Sequence, residues 1–142
     1  MKTQNVYLEH ANITVSDIEQ GIKFFQTAFP NFSLRGGAGE GTAKWIHFGD
    51  ENTYIAINQG AKQEERKHPD YLINGINHIG FVVDDVEILA ERLLNGGFVR
   101  DYPKQVQQYR IRDYFADADG NQYEFVQYLS ENAEEKNDYS DQ

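Results

Sequence analysis

The stretch LEHANITVSDIE, residues 8–19, is followed at residues 76–87 by INHIGFVVDDVE. The two stretches align without a gap at an offset of 68 residues, which places His10 on His78 and apolar residues at the same alternate positions. Self-similarity at a fixed offset is typical of chains built from repeated supersecondary units. The sequence therefore predicts two copies of one module.

Each copy begins as a strand and continues as a helix. Apolar side chains alternate over about eight residues at the start, which is the period of a half-buried strand. Ser16 with Glu19, and Asp84 with Glu87, then have the spacing of a capping box, in which the first side chain caps the helix and the Glu reaches back to it. We therefore expect helices capped by Ser16 and by Asp84.

Apolar residues at helical spacing follow each cap, as expected for helices with one buried face. Pro30 ends the first helix because proline cannot continue one, and Gly96 and Gly97 provide a left-handed exit from the second. The two stripes consist of Ile18, Ile22, Phe25 and Phe29, and of Val86, Leu89, Ala90, Leu93 and Leu94.

Three strand-like runs follow each helix: FSLRG, TAKWIHFG and TYIAINQ in the first copy, and FVRDY, YRIRDYFA and NQYEFVQY in the second. The turn-forming sequences GDEN at 49–52 and DADG at 117–120 separate the last two runs of each copy. Each half of the chain is thus βαβββ, and the predicted fold class is α+β with two tandem modules.

The predicted domain organisation is one domain over residues 1–130, since 142 residues suit a single compact domain. Its modules cover residues 5–59 and 75–128, and a polar linker over residues 60–74 joins them. Residues 131–142, ENAEEKNDYSDQ, lack apolar periodicity and cannot bury enough surface to offset their ordering entropy. We therefore expect a disordered, acidic, solvated tail there.

Composition excludes several functional classes. The net charge of −10 argues against nucleic acid as a partner, because binding the phosphate backbone requires clustered Lys and Arg. No window approaches the length of apolar residues that a membrane span needs, and the N-terminus lacks an export signal, so we expect a cytoplasmic protein without a membrane partner. With no cysteine in the chain, any metal must be held by nitrogen and oxygen.

The paired βαβββ unit carries a strand-borne His near each start, an SD or DD helix entry, and a DADGN turn before a YEF strand. This combination, over residues 5–128, resembles the vicinal oxygen chelate superfamily. That superfamily includes glyoxalase I, extradiol dioxygenases, fosfomycin-resistance thiol transferases, methylmalonyl-CoA epimerase and bleomycin-resistance proteins. The resemblance implies a cupped, incomplete, glyoxalase-like β-barrel that holds a divalent metal ion inside.

The resemblance also implies four ligand positions, which are His10, Ala56, His78 and Glu124 in this chain. Many family members carry a Glu where Ala56 stands, and a methyl group cannot bind a metal. Two imidazoles and one carboxylate remain, a set that can occupy one face of an octahedron as in non-haem Fe(II) oxygenases. The expected cofactor is Fe²⁺ or Mn²⁺ first, with Zn²⁺ or Ni²⁺ as alternatives.

Strand parity adds candidates beyond the ligands. Arg110, Arg112 and Tyr114 share one face of their strand, from which they could orient an anionic or phenolic substrate. His47 could act as a general base near neutral pH. The competing interpretation for Glu124 is an ion pair with Arg110 or Arg112.

Two functions from different classes follow. The first is a metalloenzyme acting on a small oxygen-bearing molecule, by dioxygenase-like chemistry or by thiol-transferase or lyase-like chemistry. The alternative is a metal-free protein of the bleomycin-resistance type that sequesters a small molecule. The modules could pair within one chain or be exchanged between two chains of a homodimer.

Overall fold

The computed structural model describes residues 6–61, 71–72 and 74–141. The chain divides into two compact units, Met1–Gln63 and Glu64–Gln142. Each unit contains one open four-stranded mixed sheet and one principal helix. The predicted α+β class and the two tandem βαβββ modules are confirmed.

The first unit follows the predicted order of elements, with the strands arranged β1-β4-β3-β2. Strand β1 runs parallel to β4, and the other neighbours are antiparallel. Its elements are β1 (His10–Val15), α1 (Ile18–Ala28), β2 (Ser33–Ala38), a 3-10 turn (Gly41–Ala43), β3 (Trp45–Gly49) and β4 (Tyr54–Gln59).

The second unit repeats this topology, with the strands arranged β5-β8-β7-β6 and β5 parallel to β8. Its elements are β5 (His78–Val82), α2 (Val86–Asn95), β6 (Val99–Val106), β7 (Arg110–Ala116), β8 (Gln122–Tyr128) and a last short helix α3 (Ala133–Lys136). None of the helices in the described part of the chain is long and apolar enough to span a membrane.

Both principal helices are capped one residue later than the sequence predicts. Asp17 and Asp85 are the caps, and each side chain accepts a backbone N–H of the first turn, at 2.9 Å and 3.0 Å. The prediction of Ser16 and Asp84 as caps was wrong. In each case the next residue is an aspartate, whose side chain can accept the same backbone N–H groups. The extended backbone needed for capping falls on the second residue of each pair.

The helices bury their apolar faces as the stripes predict, with small departures. Leu94 lies at the margin, 44% exposed, and Ile22 and Phe29 are half-buried. In the second unit α2 packs on β7 and β8, whose inward residues include Phe115 and Phe125. The opposite face of that sheet is therefore left for polar residues.

Residues 131–141 differ from the disordered tail that the sequence predicts. The guanidinium of the buried Arg110 donates through Nη1 to the Lys136 carbonyl at 2.9 Å and through Nη2 to the Asp138 carbonyl. It also lies 3.9 Å from the centre of the Tyr139 ring. A buried cation thus fixes a segment that has little apolar surface of its own. Of the predicted linker, residues 62–70 and 73 lie outside the described residues.

Candidate functional site

The polar face of the second sheet brings a histidine and a carboxylate together. His78 lies on β5, and Glu124 lies one strand away on β8, two residues beyond the position that pairs with His78. The His78 Nε2 and Glu124 Oε2 atoms are 2.9 Å apart, and 13% of the Glu124 side chain is exposed. Arg112 Nη1 is 3.9 Å from Glu124 Oε1, which is too long for a direct hydrogen bond.

Tyr114 completes this cluster from β7, where it pairs directly with Glu124. Its ring meets the His78 ring edge-on, with the centroids 6.2 Å apart. Burial raises the pKa of the Tyr114 phenol, and the negative charge of Glu124 raises that pKa further. The phenol therefore keeps its proton at neutral pH and can donate a hydrogen bond.

The two repeated histidines each have an acceptor on the preceding residue. Asn77 Oδ1 lies 2.9 Å from His78 Nδ1, and Glu9 Oε1 lies 3.1 Å from His10 Nδ1. Hydrogen bonds from Tyr54 and from His10 lower the pKa of Glu9, so its carboxylate only accepts. With the proton on Nδ1, Nε2 would be the nitrogen available to a metal ion, which is the usual arrangement around protein-bound metals.

In the first unit His10 and His47 meet through Tyr54. The His10 and His47 rings stack against the Tyr54 ring with centroid distances of 4.7 Å and 4.5 Å. The guanidinium carbon of Arg35 lies 4.3 Å from the centre of the same ring. These side chains form one aromatic cluster on the polar face of the first sheet.

Ala56 takes the place in the first sheet that Glu124 takes in the second. It is 4% exposed and pairs with Asn12 on β1 and with His47 on β3. His47 is thus the cross-strand partner of Ala56, as Tyr114 is the cross-strand partner of Glu124. The first unit repeats the geometry of the second without its carboxylate.

The predicted site residues accordingly fall into two groups. His78, Glu124, Arg112 and Tyr114 are brought together in the second unit, and His10 lies with His47 in the first. Within the described ranges no three His, Asp or Glu side chains form a ready-made metal cluster.

The competing ion pair of Glu124 is partly supported by the structure. Arg112 is near Glu124, as that interpretation requires. Arg110 is not its partner, because its guanidinium is bound by the Gln107 side chain and by carbonyls of the C-terminal segment.

The second-unit donors fit a divalent metal ion in chemistry and in space. An imidazole nitrogen and a carboxylate oxygen are ligand types for Mn²⁺, Fe²⁺ and Zn²⁺. Gly80 lies between His78 and Val82 on β5 and pairs with Glu124. A Cβ built at Gly80 meets no described atom within 4 Å, so the space beside Glu124 is open.

Sequence reasoning missed three contributors to these clusters. Glu9 and Asn77 could have been found, because each precedes a repeated histidine by one residue. Gln105, which pairs with Arg112 across β6 and β7, could not have been found. Register shifts between Arg100 and Gln105 break the parity on which such a prediction relies.

Comparison with solved structures shows the same fold in other proteins. The chain is similar to the fosfomycin resistance protein FosX from Listeria monocytogenes in its monoclinic form, at 25% identity and a TM-score of 0.69, covering 94% of this chain and 99% of that one. A mutant of that FosX, complexed with Mn(II) and 1S,2S-dihydroxypropylphosphonic acid, gives 23% identity, a TM-score of 0.68, and coverage of 94% and 96%.

A glyoxylase/bleomycin resistance protein/dioxygenase domain from Frankia sp. EAN1pec matches at 18% identity and a TM-score of 0.70, covering 88% of this chain and 99% of that one. No curated protein sequence matches the chain significantly. The family model described as Glyoxalase/Bleomycin resistance protein/Dioxygenase superfamily matches residues 7–125. The chain belongs to the glyoxalase/bleomycin resistance protein/dioxygenase superfamily.

Proposed function

We propose that the chain is a divalent-metal-dependent enzyme acting on a small oxygen-bearing molecule, with His10, His78 and Glu124 as the metal ligands. The observation that carries this proposal is the 2.9 Å pair of His78 Nε2 and Glu124 Oε2 on the polar face of the second sheet. A largely buried carboxylate is costly without a positive partner. Arg112 Nη1, at 3.9 Å, is too distant for a direct hydrogen bond, and a divalent cation held by this pair would supply a closer partner.

The third ligand rests on the repeat. His10 is the copy of His78, and each Nδ1 has an acceptor on the preceding residue. Ala56 contributes no ligand, so the proposed set is two imidazoles and one carboxylate. Such a set leaves coordination positions open for substrate oxygens.

Three further residues would then bind the substrate or transfer its protons. When bound, a divalent cation polarises substrate oxygens and stabilises the negative charge that develops on them. The protonated Tyr114 donates a hydrogen bond at Glu124 or at a substrate oxygen beside it. His47 serves as general base, and Arg112 orients an anionic group of the substrate.

The relatives favour Mn²⁺ as the first metal to test, because the mutant FosX structure described above is complexed with Mn(II). Fe²⁺ is the second, because the proposed ligand set is that of non-haem iron oxygenases. The reaction classes in question are ring-cleaving oxygenation, addition of a thiol or another nucleophile, and lyase chemistry.

Metal content and turnover test this proposal together. The protein is purified without chelator, analysed for metal, loaded anaerobically with Mn²⁺ or Fe²⁺, and offered fosfomycin with and without a thiol, a catechol with oxygen, and the hemithioacetal of methylglyoxal. We expect metal-dependent turnover of one class, lost in Glu124→Ala. The surface variant Glu87→Gln is the matched control, since Glu87 is exposed and pairs with Lys104.

Two results would count against the enzyme. One is protein that retains no metal after loading. The other is metal-free protein that binds a cationic drug such as bleomycin stoichiometrically and turns over none of the substrates. The second result would assign the chain to the sequestration class of the superfamily.

A further inference from the structure

Three dipeptides of the chain can close on themselves to form a succinimide ring. They are Asn74–Gly75, Asn95–Gly96 and Asp119–Gly120. In each of them the backbone nitrogen of the glycine can attack the carbonyl carbon of the preceding side chain, because glycine has no side chain that would hinder the approach. Whether a given dipeptide reacts depends on the freedom that the fold leaves to the glycine nitrogen.

The reaction at an Asn–Gly dipeptide needs no enzyme and no cofactor. The glycine nitrogen forms a bond to the side-chain carbonyl carbon, and the bond from that carbon to the side-chain nitrogen breaks. Ammonia leaves with the proton that the glycine nitrogen loses. Water then opens the ring at either of its carbonyl carbons, which gives aspartate or isoaspartate. Both products carry a new negative charge, and isoaspartate also lengthens the backbone by one carbon atom.

The fold protects the second and third dipeptides. Asn95 is the last residue of α2, and the Gly96 N–H donates to the Arg92 carbonyl at 2.9 Å. The Gly120 N–H donates to the Asp117 carbonyl at 3.1 Å. A nitrogen held in a backbone hydrogen bond must first leave that bond before it can attack a side chain, and leaving it costs free energy. Both dipeptides should therefore stay intact in the folded protein.

The first dipeptide is not protected in this way. Asn74 and Gly75 are both exposed and lie outside the helices and strands. No hydrogen bond joins the Gly75 N–H to another described residue, and a Cβ built on Gly75 meets no described atom within 4 Å. The Gly75 φ angle of +136° is one that other residues rarely adopt, so the backbone itself favours glycine at this position.

The dipeptide lies between two residues that contact His78. Asn77, three residues after Asn74, places its Oδ1 atom 2.9 Å from His78 Nδ1. Tyr71, three residues before Asn74, places its ring centroid 6.4 Å from that of His78. A change in backbone length at position 74 therefore acts on a segment whose two ends both meet this histidine.

We propose that Asn74 is a site of spontaneous deamidation whose product disturbs the candidate metal site. Isoaspartate at position 74 lengthens the chain between Tyr71 and Asn77. The Asn77 side chain, which orients the His78 ring through Nδ1, then shifts, and Nε2 turns with the ring. The protein would lose affinity for metal as it ages, without proteolysis and without global unfolding.

The modification is tested by incubating native, metal-free protein at neutral pH and mapping its tryptic peptides by mass spectrometry. Trypsin cleaves after Arg92, so Asn74 and Asn95 fall in separate peptides. We expect Asn74 to convert at least about fivefold faster than Asn95, the factor that one backbone hydrogen bond gives. In urea-unfolded protein the two rates should become similar. Native protein in which Asn74 stays intact, or in which Asn95 converts as fast, would overturn the proposal.

The effect on the metal site is measured on the modified protein. Ion exchange separates the deamidated protein by its added charge, and calorimetric titration compares its affinity for Mn²⁺ with that of unmodified protein. We expect about tenfold weaker binding, as when the hydrogen-bond acceptor of a metal-binding histidine is disturbed. Asn74→Asp adds the charge alone, at an exposed position where salt screens it, and should bind Mn²⁺ as wild type does.

Two glutamine variants are the matched controls. Asn74→Gln keeps the amide, but its longer side chain closes a ring much more slowly, so this variant should keep its affinity for Mn²⁺ through an incubation in which wild type loses it. Asn95→Gln should lose affinity as wild type does. Loss of affinity at the wild-type rate in Asn74→Gln would show that another change is responsible.

The inference rests on the proposed function only for the effect on metal binding, so the two failures can be distinguished. If wild type binds no Mn²⁺, the metal proposal fails, and the peptide maps of metal-free protein still decide the modification. If Mn²⁺ binds and the deamidated protein binds it as tightly as unmodified protein does, position 74 does not act on the metal site and the inference is overturned.

Discussion

Glu124 is the residue on which the proposed metal site depends most. Its neighbours within the sheet are His78 Nε2 at 2.9 Å, Arg112 at 3.9 Å and the phenol of Tyr114. Buried ion pairs contribute little net stability, so the fold alone does not require a carboxylate at this position. Its surroundings are polar and open on the side of Gly80.

The opening at Gly80 gives a prediction at the residue scale. Gly80→Ala should raise the free energy of unfolding by about 0.4–1 kcal/mol, because the added methyl group meets no described atom and restricts the unfolded chain. The same methyl group stands beside Glu124, so the affinity for Mn²⁺ or for substrate should fall severalfold. Thermal melts and calorimetry measure the two effects. Unchanged ligand affinity would mean that the space over Gly80 is not part of the site.

At the scale of elements, the sequence predicts which segments are helices and strands but not their exact ends. The run TAKWIHFG is predicted as one strand, whereas Gly41–Ala43 forms a 3-10 turn and β3 begins at Trp45. Helix caps differ by one residue because neighbouring polar residues compete for the same role. These boundaries depend on backbone geometry that residue type alone does not determine.

The helix caps can be tested with a matched pair of variants. Asp85→Ala should lower the free energy of unfolding by about 1 kcal/mol, because the Asp85 side chain accepts the Ile88 N–H at 3.0 Å. Asp84→Ala should change it by less than about 0.5 kcal/mol, as expected of an exposed residue outside the cap. Urea denaturation compares the two. A larger loss of unfolding free energy in Asp84→Ala than in Asp85→Ala would show that Asp84 is the cap, as the sequence predicts.

Arg110 gives a second prediction at this scale, because its buried side chain makes several of the contacts that hold the C-terminal segment. Arg110→Met should release α3 and the residues after it, since the carbonyls of Lys136 and Asp138 and the ring of Tyr139 lose their partner. Limited proteolysis should then cleave within residues 131–141 much faster than in wild type. Equal cleavage rates would show that the segment is held by other contacts.

At the scale of the whole molecule, the repeat is the most informative feature of the sequence. From the sequence alone it predicts both modules and the equivalence of His10 and His78. The same offset of 68 residues makes Ala56 the equivalent of Glu124. The sequence does not predict the contacts that depend on one specific partner. Gln105 faces Arg112 through register shifts in β6, and the C-terminal segment is fixed by a buried arginine.

The repeat can be tested by completing it with Ala56→Glu. A carboxylate at this buried position faces His47 and lacks a cation, so the metal-free variant should melt below wild type. Added Mn²⁺ should then raise its melting temperature more than it raises that of wild type, because a fourth ligand tightens binding. Turnover should fall, since the new ligand occupies a position left for substrate. Equal metal-induced shifts would mean that position 56 does not face the metal.

The central claim is that His10, His78 and Glu124 bind a divalent metal, and calorimetric titration of Mn²⁺ into wild type and the three alanine variants tests it most directly. Wild type and Glu87→Gln should bind one Mn²⁺ per chain. Each of the three alanine variants, His10→Ala, His78→Ala and Glu124→Ala, should lose stoichiometric binding. Each should keep the wild-type circular dichroism spectrum, because the apolar core of each module lies on the other face of its own sheet, against the helix. If any one of the three alanine variants folds and binds Mn²⁺ with wild-type affinity and stoichiometry, that residue is not a ligand and the account is contradicted.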